Sequence, residues 1–385
     1  MMKKNKTLLI AIISLVIISA IIYLSPYRYL VKGIRLTYLK GEKSANYLDW
    51  KDFDLRKMEN NPDKIFIIPS KLYAKTNGLD KKLLDMLTKT NSGSYIVVKN
   101  DTIVSEHYFN GITDSSQTNS FSMAKTITTL LVQKAIQDKI IASWDDKVID
   151  YLPWLTGEFA KDVTLRHLST MTAGLVWNES YVSPFGVTAK AYYSNDVEAV
   201  MKQVAVTKKP GENFQYQSGA TQLLGFVLKK ALDKTGKYKS VSEFAQVNLW
   251  NKIGAEYPAF WSLDADNGKE LTYCCFDATA RDFAKLGQLV LHHGKSAWGE
   301  SIIDSAFLEM AQQPYKSANY GHSFWIGEVD GIKFPYFQGL KGQYIAIVKN
   351  ENAVILRTGN GIDKSHGMPV FDCIKTYVSE GVKLK

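Results

Sequence analysis

The chain has 385 residues, enough for one large domain or two small ones with a sizeable core. Its 45% hydrophobic and 22% charged residues, free of low-complexity tracts and of solenoid or propeller periods, exclude disordered and repeat architectures. The net charge of +9 is dispersed and the aromatics are not interleaved with Arg or Lys, which argues against nucleic acid as a partner.

The first element is an apolar helix. A basic head, Lys3, Lys4 and Lys6, precedes 18 uncharged apolar or small residues, Thr7 to Leu24, about the minimum that spans a bilayer. A cleaved signal peptide would want a shorter core and a small-x-small exit, but Ser-Pro-Tyr-Arg follows Leu24. The segment therefore reads as an uncleaved transmembrane anchor. The basic head predicts a cytoplasmic N-terminus and a single-pass protein with an extracytoplasmic body, on the periplasmic side in a Gram-negative cell. Arg28, Lys32, Arg35 and Lys40 on the other flank pull against that orientation. The expected division is a cytoplasmic head at 1–6, an anchor at 7–24, a juxtamembrane segment at 25–75 and a folded domain at 76–385.

From Ser94 the patterns sharpen. "SYIVVKNDTIVSEHYF" is a pair of β-branched runs around Asn100-Asp101, a hairpin signature. In "TNSFSMAKTITTLLVQKAI", Ile127, Leu130, Leu131 and Ala135 recur at helical spacing. The stretches "DDKVIDYLPWL", "TLRHLSTMTAGL", "ATQLLGFVLKKALDKTG", "SVSEFAQVNLW" and "ATARDFAKLGQLVLHHG" predict a helical middle. Strand character returns at "GHSFWIGEVDGIKFPYFQGLKGQYIAIVKNENAVILRTGN", where "YIAIVKNENAVILRT" reads as another hairpin, and "PVFDCIKTYVSEGV" closes the chain as a helix. Strands at both ends predict one sheet built from N- and C-terminal segments, with the helical middle as a second lobe.

Ser122 and Lys125 stand three residues apart at the head of their helix, so both side chains lie on one face and the amine can reach the hydroxyl. A serine hydroxyl is a weak nucleophile and needs a base. The six histidines are scattered and no Gly-x-Ser-x-Gly elbow exists, so a Ser-His-Asp triad has little support. A lysine can serve if burial lowers its pKa, and Lys125 faces the core side of its helix. The Ser122 N–H at the helix start points at any oxyanion formed there. "PGENFQYQSGATQLLG" places Tyr216 and Ser218 just before a helix, where side chains can face a cleft. On spacing alone, Ser-x-x-Lys is also what a capping serine and a solvated lysine would give.

The three cysteines, Cys274, Cys275 and Cys373, are odd in number and two are adjacent, which argues against a disulfide framework. No Cys-x-x-Cys or His-x-x-x-His accompanies them, so zinc is not expected, and all three read as buried small apolar residues. No metal or other cofactor is expected.

Taken together and in order, "DWKDFDLRKM", "SMAK", "LRHLSTMTAGL", "PGENFQYQSGATQLLG", "ATARDFAKLGQLVL" and "GLKGQYIAIV" resemble the serine β-lactamase and penicillin-binding superfamily. The resemblance is to its class C-like branch of esterases and 6-aminohexanoate-dimer hydrolases, over about residues 48–380. It implies a β-lactamase-like α/β (α+β) fold with an antiparallel sheet and a helical lobe. It makes Ser122 the acylated nucleophile, Lys125 its base and Tyr216 the proton relay, with the first proton going to either Lys125 or Tyr216. Ser218 holds a position where β-lactam enzymes usually carry Asn, a departure found in the hydrolase and esterase branches. The late motif is Leu340-Lys341-Gly342, with the N–H of Gln343 completing the oxyanion hole. Leu340 replaces the expected basic residue, so a β-lactam carboxylate should bind poorly, and Lys341, read as a strand residue, should point to the opposite face. Lys234-Thr235-Gly236 is rejected as that motif because glycine there caps a lysine-rich helix. Tyr181 in "WNESYVSPFG" is a candidate pocket residue, with a plain surface aromatic as the alternative. His322, Trp325, Trp177 and the His292-His293 pair read as packing. The expected activity is cleavage of a small-molecule amide or ester through a Ser122 acyl-enzyme. The alternatives are a D-alanyl-D-alanine peptidase and a membrane-tethered sensor without turnover.

Overall fold

The computed structural model describes residues 2–42, 44–70, 79–181, 183–362 and 371–385. Among the described residues ten strands form two antiparallel sheets. They are β1 (Asp54–Met58), β2 (Ser92–Lys99), β3 (Thr102–Tyr108), β4 (Gln117–Asn119), β5 (Ala259–Leu263), β6 (Phe276–Thr279), β7 (Trp325–Val329), β8 (Ile332–Gly339), β9 (Gln343–Val348) and β10 (Ala353–Gly359). The larger sheet runs β3-β2-β10-β9-β8-β7, so N- and C-terminal segments do combine in one sheet. Asn100 and Asp101 carry the β2–β3 turn, both at positive φ (49° and 58°), as the hairpin signature required.

The larger sheet is covered on both faces, which explains why its central strands read as apolar runs. Ile96, Val98, Ile345, Ile347, Val354 and Leu356 enter the main core. Their neighbours Tyr95, Val97, Tyr344, Ala346, Val348 and Ile355 enter a second core with the C-terminal helix Phe371–Gly381. On the main side lies the helix Ala280–Leu291, brought in closely by Gly287: a Cβ there would stand 2.5 Å from Val354 and 2.7 Å from Ile345.

The smaller sheet, β1-β5-β6-β4, was not anticipated. Its strands are three to five residues long, and "DLRKM" and "QTN" carry too little alternation to signal one. It matters here because β4 delivers the chain to Ser122. The 25–75 stretch is also more than a juxtamembrane tether. Its helix Tyr29–Leu36 packs on the helix Val187–Tyr193 and β1 belongs to the smaller sheet, so the folded body begins well before residue 76. Part of that stretch, 71–75, lies outside the described residues.

The run at 7–24 lies in the helix Met2–Leu24, not all of whose side chains are described. Among the described residues no helix is long and apolar enough to cross a membrane, so the expected transmembrane span has no support from the fold itself. In the helical middle, Ser218–Thr235 and Ala280–Leu291 are long helices as read, but "DDKVIDYLPWL" is not helical beyond the short 3-10 turn Val148–Asp150. Pro153 blocks an extended helix, and Val148, Leu152 and Leu155 are pinned separately into the core. Gly236 is the left-handed cap (φ 64°) of the helix Ser218–Thr235, which removes Lys234-Thr235-Gly236 from the site as expected.

Candidate active site

The chain leaves β4 at Asn119 and turns into the helix Met123–Gln137 through Ser120, Phe121 and Ser122. Phe121 sits at φ 44°, a conformation that costs a non-glycine residue about 1 kcal/mol. Asn119 holds this turn by accepting the Phe121 N–H at 2.8 Å. The Asn119 amide in turn donates to Asp49 at 3.1 Å, and the Tyr192 hydroxyl donates to the other Asp49 oxygen at 2.9 Å. Asp49 is buried, and burial pushes its carboxyl up to about 6 against the pull of those two donors. A polar chain from the N-terminal segment thus sets the turn that presents Ser122. Sequence reasoning missed it, since Asp49 and Asn119 are 70 residues apart.

Ser122 caps the helix N-terminus (φ −68°, ψ −3°) and is half-buried. Among the described residues its own N–H makes no backbone hydrogen bond, leaving it available to an oxyanion. The Lys125 Nζ lies 2.8 Å from the Ser122 Oγ and donates to the Tyr273 carbonyl at 2.9 Å. Lys125 is 1% exposed, and burial draws its amine down to about 8, opposed by the charge of Glu179. The Tyr216 ring centroid is 5.1 Å from the Nζ, and the phenol stands near enough to Ser122 for that side chain to favour its ionised form slightly. Burial, reinforced by Tyr320 and Glu179, pushes that phenol well above its ordinary range. The structure therefore brings Ser122, Lys125 and Tyr216 into one cluster, with an amine that deprotonates readily and a phenol that keeps its proton.

These three groups stand in a fold that others share. The beta-lactamase family matches residues 81–363. The chain belongs to the beta-lactamase family. Among solved structures it is similar to a candidate 6-aminohexanoate-dimer hydrolase from Bacillus anthracis (22% identity, 93% of this chain and 94% of that one, TM-score 0.68). It is also similar to a penicillin-binding protein from Bacillus halodurans (15%, 77% and 98%, 0.59) and to EstCE1, a hydrolase with promiscuous acyltransferase activity (14%, 79% and 98%, 0.55). At these identities the likeness shows the fold alone. No curated protein matches the chain.

In this beta-lactamase-family site the remaining expected residues are distributed as follows. Ser218 opens the helix Ser218–Thr235 and lines the pocket at Ser122. Its N–H and hydroxyl both donate to Glu179, at 2.7 and 2.6 Å. Tyr181, 45% exposed, also lines the pocket and donates its hydroxyl to Glu179 at 2.7 Å. Trp177, expected as packing alone, donates its indole N–H to the same carboxylate at 2.7 Å. Glu179 is thus the acceptor that gathers Ser218, Tyr181 and Trp177, and it was not singled out from sequence. The "WNESY" stretch offered one signal, a carboxylate between two aromatics that each carry a donor.

The Leu340-Lys341-Gly342 turn joins β8 to β9 beside Ser122. A Cβ on Gly339 would lie 2.1 Å from the Ser120 carbonyl oxygen, so only glycine lets this strand end approach so near. Leu340 shares the pocket wall with Ser122. Gln343 opens β9, and its buried side chain clamps the turn: it donates to the Leu340 carbonyl at 3.0 Å and accepts the Gly359 N–H at 2.9 Å. Lys341 is not on a strand as expected but in the turn, at φ 60°, where it feels the Glu42 and Asp49 carboxylates and does not line the pocket.

His322 is buried, bonds to Ser169 at 2.9 Å and packs edge-on to Trp144 and Phe307, a structural role as expected. Trp325 contacts the Tyr216 ring at 5.3 Å. His366 lies outside the described residues. The cysteine reading needs correction. Cys274 and Cys275 form a disulfide between adjacent residues, and Cys373 is a buried cysteine outside any disulfide. Adjacency excludes a cross-linking framework but not a bond between the two neighbours themselves. Cys274 lines the pocket, directly after the residue whose carbonyl holds Lys125.

Proposed function

We propose that the chain is a membrane-anchored serine hydrolase that cleaves an ester or amide through an acyl-enzyme on Ser122. The observation that carries this reading is the 2.8 Å contact between the Lys125 amine and the Ser122 hydroxyl in a buried setting. Neutral Lys125 takes the Ser122 proton as the hydroxyl oxygen attacks the carbonyl. Tyr216, which keeps its proton, hands one to the leaving group and is restored through Lys125. The Ser122 and Gln343 N–H groups receive the oxyanion. Water then cleaves the acyl ester by the reverse relay. The D-alanyl-D-alanine peptidase reading is weaker here, because the described residues that line the pocket include no Lys, Arg or His to meet a substrate carboxylate.

Anchoring is supported by the helix Met2–Leu24, whose Leu9, Ile10, Ile13, Ile17 and Ile21 are all about half exposed or more, with lysines at its head. Its 23 residues extend ~34 Å, comparable with the hydrocarbon thickness of a bilayer. The Cys274–Cys275 disulfide favours an oxidising, extracytoplasmic side for the body. The test is hydrolysis of p-nitrophenyl acetate by full-length protein and by Ser122→Ala. The reading requires loss of at least about a thousandfold in the variant, and an unchanged rate would end it.

A further inference from the structure

The pocket at Ser122 has a chemical bias that family membership does not supply. Among the described residues that line it there is no Asp, Glu, Lys, Arg or His; Lys125 and Glu179 stand behind Ser122 and Ser218. Its walls are Leu30, Ile34, Phe121, Tyr192 and Leu340, interspersed with uncharged serine, threonine and tyrosine hydroxyls, around a cavity of about 140 Å³. A carboxylate or ammonium lying along Leu30, Ile34 and Leu340, away from Lys125 and Glu179, would lose its water without gaining a partner of opposite charge, an unfavourable exchange.

The mouth continues the same character outward. One side of it is the helix Tyr29–Leu36, the first element after the apolar N-terminal helix. Ile34 lines the pocket and is also 48% exposed, and Tyr38 lines it at 63% exposure, so apolar surface runs from the interior to the outside. Across the mouth, Phe185 is 70% exposed and its ring meets Tyr27 edge-on at 6.5 Å. The Tyr29 hydroxyl ties the two sides together by donating to the Pro184 carbonyl at 3.1 Å. The nearby basic residue Lys32 turns away, its amine donating to the Asp264 carbonyl and sitting over the Phe53 ring. The mouth is therefore an apolar rim joined to an apolar cavity, with a nucleophile on its wall.

We infer that the group transferred to Ser122 is an uncharged hydrocarbon acyl chain, carried by a lipid or by a dissolved ester or amide. This rests on the acyl-enzyme reading above. The Ser122 Oγ forms a bond to the acyl carbon, the bond to the alcohol or amine breaks, and the departing group takes a proton from Tyr216. Water then releases the fatty acid. The chain lies along Phe121, Tyr192 and Leu340, and its outer end reaches Ile34 and the rim.

The experiment uses full-length protein in mild detergent and p-nitrophenyl esters from acetate to decanoate, so that only the acyl chain changes. Burial of each added methylene predicts a rise of roughly three- to fourfold in kcat/KM until the pocket is filled. Esters of matched length ending in a carboxylate or an ammonium should be slower by about a hundredfold or more. Ile34→Asp should flatten the dependence on chain length. Ile34 is half exposed, so this variant has little cause to unfold. Offering the decanoate dissolved or embedded in phosphatidylcholine vesicles identifies the source, since the faster of the two presentations marks it. A flat or falling series, or equal rates for charged and uncharged chains, would overturn the inference. If Ser122→Ala retains the activity, the acyl-enzyme reading itself has failed; if it abolishes a flat series, only the chain assignment has.

Discussion

Replacing Lys125 by methionine tests whether the site is maintained at the expense of stability. Burial brings the amine from its ordinary 10.5 to about 8, which corresponds to a penalty of ~3 kcal/mol on the charged form in the folded state. The sign follows from proton binding. Below pH 8 both folded and unfolded chains hold the proton, and the penalty is fully present. Between 8 and 10.5 the folded chain has released the proton while the unfolded chain keeps it, so wild-type stability rises with pH. Methionine is similar in volume and carries no charge, but it leaves the Ser122 hydroxyl and the Tyr273 carbonyl without their donor, at about 1 kcal/mol each. Lys125→Met should therefore be more stable than wild type by ~1 kcal/mol at pH 7 and less stable by ~2 kcal/mol above pH 10.5, while losing hydrolysis. The assay is urea unfolding of the full-length protein at several pH values, read at constant m. A variant that is less stable at pH 7, by an amount that does not change up to pH 10.5, would refute the reasoning.

Three other outcomes follow from the same geometry. The kcat/KM profile should climb about tenfold per pH unit below pH 8 as neutral Lys125 accumulates. It should not fall through loss of the Tyr216 proton below pH 10, since that phenol is pushed well above its ordinary range. Glu179→Gln removes the charge that holds the Lys125 proton in place, so the acid limb should move to lower pH; an unmoved limb would show that Glu179 does not reach the lysine electrostatically. Alkylation of denatured protein followed by mass measurement should label one thiol before reduction and three after it, because Cys274 and Cys275 are bonded to each other.

The Ser122–Lys125 pair was legible because both residues ride one helix, where a spacing of three fixes their proximity. The larger sheet was legible for a related reason: its strands carry β-branched runs long enough to show a period, and Asn100-Asp101 marks a turn with its own chemistry. What stayed hidden depends on contacts between distant segments. Glu179 gains its meaning from Ser218, 39 residues away, and Asp49 from Asn119 and Tyr192. The smaller sheet was illegible because three residues of polar sequence cannot display an alternation. The disulfide was misread because an odd count was applied to the framework and not to the adjacent pair. Lys341 was misplaced because the turn of positive-φ residues at 341–342 interrupts what reads as a continuous strand.

The most direct test is to trap the reaction. Full-length protein is mixed with p-nitrophenyl octanoate, acid-quenched within the first turnover, digested and mapped by mass spectrometry. The account predicts an octanoyl mass on the peptide that carries Ser122, absent when that residue is alanine. Release of p-nitrophenol at full rate with no acylated peptide, or an acyl group found elsewhere and persisting in Ser122→Ala, would contradict it.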